Sequence, residues 1–149
     1  MTGELLTHDK DSAILTLLSM NQLIEKNYQP VFEDWDLSKI VVAIEKSHRN
    51  LFPVVDKGNR LVGVMSLDSV RNVMFRPELY HKYTVASFMK QPKALLLTTD
   101  TFKEAAQKFD DTKAWNLPVV DENGCYIGFI SRAGIFSSYR KTLVSFAAE

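Results

Sequence analysis

A single cysteine, Cys125, is all that the 149-residue chain carries. No disulfide can close within it, and a reducing, cytoplasmic setting is expected. Excess charge is missing as well: 18 Lys and Arg balance 18 Asp and Glu, and no basic block stands out. That removes the electrostatic footprint of a nucleic-acid binder, so no nucleic-acid partner is expected. The histidines His8, His48 and His81 are scattered. With one cysteine beside them they offer no spacing suited to zinc, and no metal site is expected. Neither a Gly-x-Ser-x-Gly elbow nor a P-loop occurs, so no catalytic residue is assigned and no enzyme activity is expected. The longest apolar runs, residues 94–97 and 61–65, fall far short of the ~20 residues that cross a bilayer. The opening MTGELLTHDK lacks the charged-then-apolar build of a signal peptide, which argues against secretion.

What is present is a 46% apolar, 11% aromatic composition, enough for one compact domain with a sizeable core. Its organisation is an internal repeat. Phe52-Pro53-Val54-Val55-Asp56 recurs as Leu117-Pro118-Val119-Val120-Asp121, an offset of 65 residues. The same offset carries Gly63 onto Gly128, Ser66 onto Ser131, and Leu37, Ile40, Val41, Ile44 onto Phe102, Ala105, Ala106, Phe109.

Each copy has the same physical grammar. The set Leu37, Ile40, Val41, Ile44 lies at helix spacing with Asp36 as N-cap, and Thr101 with Glu104 forms a capping box ahead of the second set. A β-rich run follows each helix, then a Gly/Asn turn, then a second run. That is a hairpin signature, with Gly58-Asn59 and Asn123-Gly124 tolerant of positive φ. Ser66 and Ser131 then cap a closing helix, with Val70, Val73 and Met74 inward in one copy and Ile135, Phe136 and Tyr139 in the other. First strands are suggested at residues 28–32 and 94–97.

The fold class is thus α/β (α+β): two β-α-β-β-α units, each with a right-handed crossover, packed as a pseudo-two-fold pair sharing one core. The segments are 1–27, a linker and amphipathic helix bearing Ile14, Leu17, Leu18, Leu23 and Ile24 and docking across the pair; 28–76, repeat 1; 77–91, a connector with a helical turn at 85–89; and 92–149, repeat 2 with the C-terminal helix.

These residues resemble the tandem CBS-domain pair, or Bateman module, over roughly 28–139. Leu/Phe-Pro-Val-Val-Asp followed by Gly-x-x-Ser is the specific part. Within that family the flanks are similar to the cytoplasmic C-terminal region of bacterial CLC-type chloride channels and transporters: Gly3-Glu4-Leu5-Leu6-Thr7-His8 resembles the junction after their last membrane helix, and residues 131–140 resemble their closing helix. The resemblance implies a regulatory and dimerisation module at the inner face of the cell membrane. Its partners would be a second copy and the membrane-embedded portion of the same protein.

The family also implies an adenine-nucleotide cleft, with an Asp three residues after the Gly-x-x-Ser/Thr serine gripping the ribose hydroxyls. Such chemistry needs helix-start N–H groups for phosphate and a carboxylate for two hydroxyls. Here that position holds Ser69 in one copy and Gly134 in the other, and Asp68 stands one residue early, about 100° around the helix. Ser66, Ser69, Thr98 and Ser131 are the candidate ligand residues, with weak adenine-nucleotide binding; for Ser66 and Ser131 the competing role is that of an N-cap alone. His48 beside Arg49 fits the negative end of a helix dipole better than a catalytic role. Trp35 and Trp115 do not share the offset, which leaves at least one free to face a partner or a cleft, although plain core or edge packing is the commoner fate of a tryptophan. The alternative to the channel reading is a nucleotide-sensing pair attached to a soluble enzyme such as an IMP dehydrogenase or a pyrophosphatase. A stand-alone pair used for association is the third. What precedes Met1 would separate them.

Overall fold

The structure, a computed structural model, describes residues 20–148, the side chains of 145–148 excepted. The stretch bearing Ile14, Leu17 and Leu18, and the junction resemblance at residues 3–8, lie outside the described residues. Leu23 and Ile24 do not continue a helix: Asn21–Leu23 is a single 3-10 turn, Ile24 is extended, and Glu25 pairs with Phe129.

The elements are β1 (Val31–Phe32), α1 (Leu37–Lys46), β2 (Leu51–Val55), β3 (Leu61–Ser66), α2 (Leu67–Val70), β4 (Leu96–Leu97), α3 (Phe102–Thr112), β5 (Asn116–Val120), β6 (Tyr126–Ser131) and α4 (Arg132–Ala148), with short 3-10 turns at Pro77–Leu79 and Val85–Ser87. The order β-α-β-β-α appears twice, in a mixed α+β fold with two three-stranded sheets. The first strands are only two residues long, because each pairs with its neighbour at two positions before the chain turns toward the helix.

Two compact units result. One comprises residues 20–26, Lys93–Glu122 and residues 127–148; the other comprises Asn27–Pro92 and the hairpin tip Asn123–Tyr126. In the second, β1 runs parallel to β2 (Val31↔Val54) and β2 antiparallel to β3 (Pro53↔Val64). A proline in a central strand would normally cost a ladder bond. Here Val64 turns its own N–H and C=O outward to Lys90, at 2.8 Å each, so Pro53 faces a position that asks for no donor. Phe129, 65 residues on, exchanges the same two bonds with Glu25 at 2.8 and 3.0 Å.

The helix starts are capped as their sequences require. Asp36 accepts from the Lys39 N–H, and Thr101 and Glu104 close a reciprocal capping box. Of the two residues in each turn pair, only the second needs positive φ: Asn59 at 66° and Gly124 at 81°. Asp56 Oδ1 explains the first turn, accepting 2.9 Å bonds from the Gly58 and Arg60 N–H groups.

Buried apolar side chains gather in two clusters, one inside each unit. The reason lies in the strand alternation. Phe52 and Val54, or Leu117 and Val119, point to the side where the unit's own helices deliver Leu37 and Ile40, or Phe102, Ala106 and Phe109. Pro53, Val55, Pro118 and Val120 are buried as well but belong to neither cluster, so both faces of β2 and β5 are covered. That explains why these strands read as continuous apolar runs rather than as an alternation.

Candidate functional site

The closing-helix starts are where the candidate residues concentrate. Ser66 ends β3 in extended conformation, and its Oγ accepts the Ser69 N–H at 3.2 Å. The Ser69 hydroxyl in turn donates to the Ser66 carbonyl at 2.6 Å. The two serines therefore satisfy one another within a single turn. Ser131 does the same work in the other unit, its Oγ accepting the Gly134 N–H at 2.9 Å. A Cβ at position 134 would stand 3.0 Å from that Oγ. A side chain there, a ribose-gripping carboxylate included, needs the Ser131 hydroxyl to shift by a few tenths of an ångström; in the other unit Ser69 stands at the equivalent position with the cap bond kept at 3.2 Å. Asp68 does not fill the gap: it is exposed and pairs with Arg71, one turn along, at 3.3 Å.

Thr98 stands apart from Ser131. Its N–H donates to the Val120 carbonyl at 3.0 Å, extending the β4–β5 pairing beyond the C-terminal end of β5. Arg132, next to Ser131, donates its N–H to the Trp115 carbonyl at 2.8 Å, just before β5 begins. At about 3.3 Å per residue the strand puts roughly 16 Å between those two ends. The structure therefore brings Ser66 and Ser69 together, and sets Thr98 and Ser131 at opposite ends of one sheet.

Sequence reasoning missed a cleft of about 710 Å³ at the C-terminal ends of β1 and β2, lined among others by Phe32, Glu33, Trp35, Lys39, Asp56 and Thr84. Phe32 and Trp35 meet edge to face there, ring centroids 5.4 Å apart. The only sequence signal was that Trp35 falls outside the 65-residue register. Trp115, also outside it, is 76% exposed. Beside the cleft the Ser38 hydroxyl, then His81, whose Nδ1 lies 2.9 Å from Oδ2, and the Lys39 N–H hold the Asp36 carboxyl at about 2, below its usual 3.8. Asp36 thus remains an anion at the start of α1, where the helix dipole favours one.

His48 lies just past the end of α1 and is exposed. Its neighbour Arg49 stacks 4.4 Å over the Tyr28 ring and donates to Asn27 Oδ1 at 2.6 Å, which leaves it a structural cation. Burial pushes the Tyr126 phenol far above its ordinary pKa, with Tyr28 adding to the shift and Arg49 opposing it, so it stays neutral. Among the described residues no group of three or more His, Cys, Asp or Glu is placed to hold a metal ion, and no helix is long and apolar enough to cross a membrane.

The CBS-domain family model matches residues 21–76 and 85–141, which is both repeats. The chain belongs to the CBS-domain family. A CBS domain-containing protein of Bacillus anthracis superposes with a TM-score of 0.73 at 20% identity, covering 87% of this chain and 98% of that one. The cytosolic domain of the Mg2+ channel MgtE in complex with ATP superposes with a TM-score of 0.64 at 24% identity, covering 77% of this chain and 46% of that one. By sequence, a homoserine O-acetyltransferase of Methanococcus vannielii is 23% identical over 83% of this chain. This CBS pair spans only a quarter of that relative's length.

Proposed function

We propose that this CBS pair is a non-catalytic regulatory and dimerisation module of a CLC-type chloride channel or transporter, working at the cytoplasmic face of the cell membrane. One observation carries the reading: both closing-helix starts are complete as helix caps, their hydroxyls committed to their own turns, with no carboxylate at the third position. A module built this way transmits state through contact rather than through a tightly held nucleotide. The similarity of residues 131–140 to the CLC closing helix supports the attachment, as does the existence of the same fold in the cytosolic domain of a membrane cation channel. The second reading, an adenine-nucleotide sensor attached to a soluble enzyme, draws on that channel domain's bound ATP and on the enzyme relative.

Nucleotide binding separates the two. Hydrogen bonds to a charged group contribute roughly 1.5–3 kcal/mol each, so loss of the ribose carboxylate weakens binding by at least about tenfold. ATP, ADP and AMP are expected to bind with Kd no better than about 1 mM. A ligand at its Kd stabilises by RT ln 2, about 0.4 kcal/mol, and 1 kcal/mol moves the Tm of a domain this size by roughly 2–4 °C. At ~1 mM none of the three nucleotides should raise Tm by more than about 2 °C in a thermal melt. A rise of ~5 °C or more with any of them replaces the first reading by the second.

A further inference from the structure

We propose that the outer face of α4, together with Trp115, is a docking surface for an anionic phospholipid membrane. The helix has two sides. Ile135 is buried and Tyr139 packs against the same cluster, so that side belongs to the unit's core. On the other side Ala133, Phe136, Ser137, Arg140, Lys141 and Val144 form a stripe at helix spacing and line a groove of about 780 Å³, with Phe136 at the edge of both. Apolar groups stand open along it: Val144 is 63% exposed, and Trp115, beside the start of the helix, is 76% exposed. Arg132 joins Trp115 to the stripe. Its N–H donates to the Trp115 carbonyl at 2.8 Å, and its guanidinium lies 5.8 Å from the Trp115 ring and 5.6 Å from the Phe136 ring.

Charge identifies the occupant. From Arg132 to Ala148 the helix carries Arg132, Arg140 and Lys141 and no acidic residue, and none of the residues lining the groove is acidic. Of the carboxylates nearest Trp115 in the chain, Asp110 is buried and Asp111 accepts a bond from Gln107 at 2.8 Å. A cationic face that also exposes Trp and Val suits the boundary between lipid headgroups and acyl chains. There Arg and Lys reach the anionic headgroups while the indole and the aliphatic side chain sit just beneath. A folded acidic partner would have to hold carboxylates in register with Arg140 and Lys141, which diverge by about 100° around the helix, whereas lipid headgroups move laterally to meet both. A second copy of α4 fits less well, because symmetric pairing sets cation against cation with no carboxylate on the helix to offset them. The contact needs only α4 and Trp115, and is independent of attachment to a channel.

Vesicle binding by the full chain tests it. With Trp35→Phe leaving Trp115 as the only tryptophan, vesicles of equal parts phosphatidylserine and phosphatidylcholine are expected to carry the chain down on sedimentation and to shift Trp115 emission to shorter wavelength. Vesicles of phosphatidylcholine alone should do neither, and added salt should weaken the binding. Each Lys or Arg at an anionic surface contributes about 5-fold to partitioning, so Arg140→Gln with Lys141→Gln should lower it about 25-fold. Both side chains are exposed, so an unchanged circular dichroism melt separates loss of docking from loss of fold, and the emission shift itself needs no substitution on α4. Absence of binding at low salt, or binding indifferent to the Arg140/Lys141 change, overturns the proposal. So does binding without a shift in Trp115 emission, which would assign the contact to another face. An equal shift with soluble polyglutamate overturns it too, in favour of an acidic polypeptide.

Discussion

Gly63 and Gly128 occupy the same place in the repeat, and each lies where a segment from outside the β-α-β-β-α pattern comes to pair: Lys90 against Val64, Glu25 against Phe129. A Cβ on Gly128 would stand 2.6 Å from the Glu25 carbonyl oxygen and 2.7 Å from Ile24 Cγ2. On Gly63 it would meet the Lys90 carbonyl oxygen at 3.1 Å and the Met89 sulfur at 3.2 Å. The first clash needs backbone to move; the second needs a few tenths of an ångström, partly from a flexible thioether. Gly128→Ala should therefore cost about 1–3 kcal/mol or more in urea unfolding, and Gly63→Ala clearly less. Equal losses would mean that the Glu25 bridge yields as easily as the Lys90 bridge. The sequence showed that the two glycines repeat but not why, since the cause at Gly128 is a residue about a hundred positions earlier. The serines show the converse. Their capping role was legible from spacing alone because its partners lie three residues away, whereas the opposite placement of Thr98 and Ser131 depends on which end of β5 each one meets.

At the level of elements, α3 follows its sequence closely: Phe102, Ala105, Ala106 and Phe109 are all buried. In α1 the buried set is Leu37, Ile40 and Ala43, while Val41 and Ile44 are only partly covered. Periodicity placed the stripe correctly to within one residue's rotation, and small Ala43 takes the closest approach that a larger residue was expected to fill. The closing helices diverge more. α2 stops at Val70 and α4 runs to Ala148. Pro77 is one reason, for it forces Arg76 into an extended conformation, and the chain between closes in single turns such as Met74 N–H to the Val70 carbonyl. The packed interior under α3 offers the direct test of the repeat register. Phe109 is 2% exposed at its centre, and Phe109→Ala should lower the unfolding free energy by roughly 3–5 kcal/mol. A loss below ~1 kcal/mol would show that the helix does not seat on β5 in this register.

For the molecule as a whole, the two units were legible as repeats because the 65-residue offset needs only local comparison. The assignment of residues 123–126 to one unit and 20–26 to the other was not, because it depends on pairings such as Tyr126 N–H to Asn59 C=O that span the chain. Association into a homodimer, part of the proposed function, belongs to this scale. Exposed large aliphatic side chains mark two helices, Val42 on α1 at 46% and Val144 on α4 at 63%. Beside Val42 a groove of about 370 Å³ is lined by Trp35, Ser38, Lys39, Ala43 and Lys46. Unlike α4, α1 carries a carboxylate, Glu45, next to its lysines, so two copies related by a two-fold axis can set Glu45 against Lys39 or Lys46 around an apolar centre. The α1 face is therefore the self-complementary one. In sedimentation at ~100 μM, where even a Kd of several μM gives mostly dimer, the chain should run as a dimer. Val42→Glu buries a charge without a partner at the centre of that contact and should return it to monomer, while Val144→Glu should leave the dimer intact. A parent chain that is strictly monomeric at that concentration removes dimerisation from the proposed function, and a dimer indifferent to Val42→Glu moves the contact away from α1.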